Sequence, residues 1–569
     1  MELFTFPTAP NPKASEWPGT PIGTGNVITR ARRRTAIRDT TIDRIDGRRN
    51  ELVGAAVEHI VRRADAEPIW VRDAVIHGVR VRVITNSPHL YEFWAANCYS
   101  PQGWRGATHL APPQTPRVTV YALGGVADQQ EAVYYSRRTD TIVLFNTSYY
   151  DELRAAVLGA VGRVLAEDWG IHLVRGACVE LGGRGMLYLG PVGIGKSTLA
   201  YGFVAERPDA RVCADDWVYV RYAVATRDGG RLVPFEVRPA HGRVVRGYRV
   251  FRWLEDHRGA SGQVRGFDLR HTAVTAPVAA LDLAKPIAAY AYPAERAAYA
   301  RTALVAGVPS LARGIRRARF ENVPDVTPEW LEARAAEIDA LADAASPVSP
   351  DGDAGVGGAG DPGHAVSREA LRLWLARLLA FDGARVIQDP AEPLLAGHVV
   401  VDPTQGVPLS TVAVLRRDVR DRTVLHALAV EPFVVRLLIG ETADVTREIA
   451  YNPDRAVDSE AERAAVARLE TEAARQGEGP QPLYHEFRRH PVVPETLAQE
   501  FEFLRLLHRA TRCYDVNAIL ASDPEVRDLR EAVARTAALT VYAMTATDEH
   551  ARADLDDYRQ ILAVAGAPS

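Results

Sequence analysis

Four residues of this 569-residue chain have types and spacing suited to moving a phosphoryl group: Lys196, Ser197, Asp215 and Asp216. The first two sit near the end of the stretch Gly190-Pro-Val-Gly-Ile-Gly-Lys-Ser-Thr198, which reads G-x-x-x-x-G-K-S with an extra glycine at Gly193. Such a loop binds phosphate for direct reasons. Gly193 and Gly195 carry no Cβ, so the backbone can take positive φ and turn successive N–H groups onto one anion. A helix starting at Lys196 adds the positive end of its dipole. Lys196 would reach the terminal phosphates, and the Ser197 hydroxyl would hold Mg²⁺. The expected nucleotide contacts are Gly190, Gly193, Ile194, Gly195, Lys196, Ser197 and Thr198. Of the 68 basic residues only Lys13, Lys196 and Lys285 are lysine. A lysine at this loop, in a chain that otherwise uses arginine, fits a need for a compact, flexible ammonium.

The flanking elements must deliver that loop. Met186-Leu-Tyr-Leu189 is a short apolar run readable as a buried strand, and Leu199 to Glu206 reads as a helix stopped by Pro208. Upstream, Leu153, Val157, Val161, Val164 and Leu165 recur at helical spacing within Asp151–Glu167, with Gly170 as the stop. Ile171 to Leu181 then reads as a strand, turning through Gly182-Gly-Arg-Gly185 into the loop strand. After the loop, Ala210 to Trp217 carries two adjacent carboxylates at the end of a short apolar run. Asp215 follows Lys196 by only nineteen residues, so its strand must arrive directly after one helix. Phosphoryl transfer depends on positioning and charge neutralisation more than on covalent chemistry. Ser197 and one aspartate would hold Mg²⁺, and the other would accept the proton of an attacking hydroxyl.

A strand led by histidine, a G-x-x-G-x-G-K-S loop and a paired aspartate about twenty residues later resemble HPr kinase/phosphorylase and ATP-type phosphoenolpyruvate carboxykinase, which share one P-loop superfamily. The likeness covers roughly 150–240. His172 matches the histidine before the loop, Asp215 and Asp216 match the paired aspartates, and Glu236-Val-Arg238 resembles the Glu-x-Arg signature of the HPr kinases. The resemblance implies an α/β fold with a kinase core of that superfamily, ATP and Mg²⁺ as cofactors, and an oligomeric assembly. It implies Asp215 as general base and Ser197 with Asp216 on the metal. His172 would polarise a phosphate oxygen or bind a second metal, Glu236 would assist the metal and Arg238 would contact a phosphate. Val412 to Asp418 and Phe433 to Thr442 look like the late strand and helix of the carboxykinase nucleotide site. Two departures matter. Pro239-Ala-His-Gly242 replaces the glycines that follow Glu-x-Arg, which leaves the acceptor open, and no lysine lies between Lys13 and Lys196 to serve as the carboxykinase's metal-binding lysine. The reading is an ATP-dependent kinase acting on a hydroxyl of a small molecule or on a serine of a peptide or protein. The alternatives are a carboxykinase-like lyase and a nucleotide-dependent regulatory module with low turnover.

The rest of the chain divides by composition. Residues 1–50 are rich in Pro, Thr and Arg and read as a poorly ordered arm. Residues 51–150 hold short β-type runs at 69–76, 79–84, 118–121 and 141–145, with Pro88–Cys98 as a short helix or loop and Tyr91, Phe93, Trp94, Tyr134 and Tyr135 as core. Residues 151–345 form the kinase core, with a helix starting at Thr327-Pro-Glu329 and running to about Ala344. Within the core, Tyr299-Ala-Arg-Thr302 and Arg319-Phe-Glu-Asn322 are candidate acceptor-pocket segments. Residues 346–366 are a Gly-, Pro- and Asp-rich linker, 367–455 complete the nucleotide-binding core, and 456–569 read as a helical C-terminal region. A net charge of −4 gives no basic field for nucleic acid. Four widely spaced cysteines and no apolar run of about 18 residues point to a reducing, cytoplasmic setting without membrane partners. No signal peptide is expected.

Overall fold

A computed structural model describes residues 38–39, 46–66, 68–106, 115–147, 150–207, 209–294, 297–311, 314–315, 318, 328–345, 368–380, 385–387, 400, 404–440, 459–489, 494–546 and 552–564. The linker, most of the N-terminal arm, Pro208 and the segment Arg319–Asn322 lie outside the described residues. The chain is mixed α/β.

Among the described residues the first large sheet has six strands in the spatial order 38–39, 132–136, 141–145, 118–123, 79–85 and 70–76. Alternation sets its faces. Val79, Val81 and Val83 point into the core, while Arg80 and Arg82 point out and both donate from Nε to Asp73 on the paired strand, at 2.8 and 2.7 Å. Pro88–Asn97 is a helix whose N-cap, Ser87, accepts a hydrogen bond from the Leu90 amide. Trp94, Tyr134 and Tyr135 are buried, and Tyr91 is half-buried.

The second sheet has twelve strands among the described residues. Its centre positions the loop. Arg184–Leu189 runs parallel to Val407–Arg416, which runs parallel to Arg512–Asn517. Ile171–Leu181 pairs antiparallel with Arg184–Leu189 across a tight turn and, on its other edge, with Arg211–Ala225. The aspartate strand does follow a single helix, Lys196–Glu206. It runs fifteen residues, well past Trp217, because Val218, Val220 and Tyr222 continue to bury on one face. The region after 456 is helical but not separate, since Arg512–Asn517 lies inside this sheet.

Helices cover both faces. On the loop side, Lys196–Glu206, Ala300–Gly307 and Leu529–Thr545 pack over Ala177, Val179, Met186 and Tyr188. Farther along that face, Tyr150–Trp169 lies between the two sheets and is buried nearly all round rather than along one stripe. On the opposite face, Val430–Ile439 and Glu495–Ala510 pack over Val174, Cys178, Leu187 and Val220.

A histidine pins the two sheets together. His77, in the turn between strands 70–76 and 79–85, puts its ring 4.6 Å from that of Tyr219. Its Nε2 accepts a hydrogen bond of 2.9 Å from Nε of the buried Arg221, whose guanidinium lies 5.2 Å from the Tyr292 ring. Burial pushes this guanidinium down to about 10. His77→Ala removes both the ring packed on Tyr219 and the acceptor. It is expected to cost about 2–4 kcal/mol, read as a lower midpoint of thermal unfolding.

Candidate active site

The loop strand ends at Leu189, opposite Val414. Gly193 and Gly195 then take φ of 82° and 105°. A Cβ built on Gly193 would meet nothing within 4 Å, so backbone conformation rather than crowding calls for glycine there. The helix starting at Lys196 has no side-chain cap at Gly195, which leaves its first amides facing the loop. Lys196 Nζ donates to the carbonyls of Gly190 and Pro191, at 2.8 Å each. An ammonium has three donors, so one remains for an anion. Burial and the charge of Arg175 push this lysine down to about 8, and Asp216 and Asp215 partly oppose the shift. Val412–Asp418 does lie beside the loop, for the Leu415 carbonyl would sit 2.9 Å from a Cβ on Gly190.

The aspartate pair closes the other side. Asp215 accepts from Ser197 Oγ at 2.7 Å and, through its second oxygen, from Thr302 Oγ1 at 2.8 Å. Neighbours on a strand normally point to opposite faces. Here Asp216 has a left-handed backbone, φ 80°, and both carboxylates lie within electrostatic reach of Lys196. Asp216 is gripped by Arg175 Nε at 3.0 Å and by an Arg154 terminal nitrogen at 2.8 Å. The Arg175 guanidinium also lies 5.7 Å from the Trp217 ring.

Three expected site residues are not part of this group. His172 projects to the opposite face, where its ring stacks on Phe503 at 4.9 Å and its Nε2 lies 3.3 Å from a Glu500 oxygen. It is five residues from Ala177, the partner of Asp215, which is about 17 Å along a strand. The residue of that strand which reaches the aspartates is Arg175. Glu236 pairs instead with Arg238 at 2.5 Å and with Arg246 at 2.9 Å. The strands carrying them pack by Gly247 against Glu167, near the far end of helix Tyr150–Trp169. Arg154 precedes Glu167 by thirteen residues, about 20 Å of helical rise, so neither Glu236 nor Arg238 reaches the loop. His172→Gln is accordingly expected to leave any affinity for MgATP, measured by titration calorimetry, within about twofold of wild type.

The two aspartates differ in their partners. Asp215, the expected general base, accepts the Ser197 hydrogen bond, and Asp216, the expected metal ligand, is held by Arg175 and Arg154. Ser197 and Asp215 offer the hard oxygens that Mg²⁺ takes when most of its shell comes from phosphates and water. Among the described residues no three His, Cys, Asp or Glu side chains gather as a metal site. Two protein oxygens, from Ser197 and Asp215, would leave most of an Mg²⁺ shell to other ligands. Sequence reasoning missed Arg154 and the role of Thr302, since both come from helices remote in the chain from the aspartates. No family model matches this chain, and no curated protein matches it. No helix among the described residues is long and apolar enough to cross a membrane.

Proposed function

We propose that this chain is an ATP- and Mg²⁺-dependent kinase with an HPr kinase-like core, which phosphorylates a hydroxyl of a small molecule or of a serine in a peptide or protein. The observation that carries this reading is the Ser197–Asp215 hydrogen bond, which ties the glycine loop to the acidic doublet. When bound, Mg²⁺ supplies neutralisation of the charge on the donor oxygens. The chain's own residues do the rest. Loop amides and Lys196 bind the phosphates, and Ser197 and Asp215 would hold the ion. In the transfer, the bond from the terminal phosphorus to its bridging oxygen breaks, with the electron pair leaving on the diphosphate. A new bond forms to the acceptor oxygen, and its proton passes to Asp216.

The test is ADP release by purified protein with MgATP and a panel of hydroxyl metabolites and serine peptides. Release that depends strictly on one acceptor is the expected result. Nucleotide binding with no acceptor-stimulated turnover would instead establish the regulatory module.

A further inference from the structure

We infer that Arg175 is a built-in catalytic cation, which meets the transferred phosphoryl group while Asp216 and Trp217 hold it in place. The inference rests on the kinase reading above and names a residue that reading does not use. Its first support is position. Arg175 lies on the strand paired with the aspartate strand, opposite Trp217 and next to the Gly176–Asp216 pair. Its Nε is 3.0 Å from Asp216, the proton acceptor. It is also the cation whose charge bears on Lys196, the donor-side ammonium. Arg175 therefore sits on the carboxylate that the reading above assigns to the acceptor proton and within electrostatic reach of the loop lysine.

The second support is the asymmetry of the two guanidiniums. One carboxylate, Asp216, answers two arginines. The Arg154 side chain is 4% exposed and comes from a helix packed between sheets. The Arg175 side chain is 15% exposed. A guanidinium has five N–H donors in a planar fork, more than one carboxylate takes, and that fork suits equatorial phosphate oxygens. Two cations held close in a dry site repel each other, and a group that spreads negative charge between them relieves that repulsion most when its charge is greatest. Arginine supplied in cis does this in other phosphoryl-transfer sites.

The test uses the full chain and two probes, MgADP alone and MgADP with aluminium fluoride, which mimics the planar phosphoryl group. In wild type, fluoride is expected to tighten MgADP binding at least about tenfold. Arg175→Ala should bind MgADP within about threefold of wild type, lose that tightening, and lower acceptor-dependent kcat by about 100-fold. Arg175→Lys keeps the charge without the fork and should recover part of both. A merely structural role would lower MgADP affinity and turnover together, and that result overturns the inference. So does fluoride tightening in Arg175→Ala equal to wild type. If wild type turns over an acceptor and the variant still tightens normally, Arg175 falls and the kinase reading stands. If wild type binds no MgADP, both fall.

Discussion

Asp215→Asn is expected to lower acceptor-dependent turnover by about a thousandfold or more, while ADP binding measured without Mg²⁺ stays close to wild type. Asp215 takes hydrogen bonds from Ser197 and from Thr302, one on each oxygen. An amide keeps the shape but offers one acceptor and one donor group, so one of the two hydroxyls faces an N–H instead of an oxygen. The negative charge that would hold Mg²⁺ is lost as well. The variant should therefore show a collapse in Mg²⁺-dependent nucleotide affinity, with little change in the Mg²⁺-free value. A turnover number within tenfold of wild type would remove Asp215 from the metal site. Thr302→Val provides the graded comparison. It deletes one neutral hydrogen bond to the same carboxylate and should cost about tenfold in turnover.

Replacing Lys196 gives the second large effect, and its sign differs between binding and stability. Lys196→Met is expected to weaken MgATP binding by about 100-fold, because it removes the ammonium that would answer the terminal phosphates. In the ligand-free protein the same change should raise the midpoint of thermal unfolding at pH 7. Burial and Arg175 depress this lysine in the fold from its ordinary 10.5 to about 8. The unfolded chain then binds the proton more readily between about pH 8 and 10.5, so its charged form weighs against the fold below that window, and the penalty lifts as pH rises through it. Methionine fills the space without that cost, so stability rises where function is lost. Binding carries the opposite dependence. A polyanion favours the ammonium, so MgATP association near pH 8 should take up a proton, and affinity should fall as pH rises through about 8. Calorimetry in buffers of different ionisation enthalpy reads this directly. Binding with no proton uptake in wild type would show that Lys196 does not face the phosphates.

How much of this could be read from residue order depends on how far apart the cooperating groups lie along the chain. The loop was legible because everything it needs is local. Glycines that permit positive φ, an ammonium and a hydroxyl fall within one turn of the same helix start. The acidic doublet was legible too, since nineteen residues leave room for one helix and no further crossover. Those two segments and the strand-loop-helix order followed from short-range stereochemistry alone.

Only the tertiary structure decided which groups stand around them. His172 and Arg175 share a strand, and the period of two places them on opposite faces; nothing local says which face looks at the loop. Packing settles that: His172 stacks on Phe503 of the helix on one face, while Arg175 meets Asp216 on the other. Thr302 reaches Asp215 from 87 residues away, and Arg154 reaches Asp216 from a helix gripped between two sheets. Glu236 and Arg238 lie far from the loop because their strand diverges from the aspartate strand after two paired residues. Pairing and packing are non-local forces. They act on a surface that exists only once distant parts of the chain have met, which is why the glycine loop is written in nine consecutive residues and the cations and hydroxyls that surround it are not.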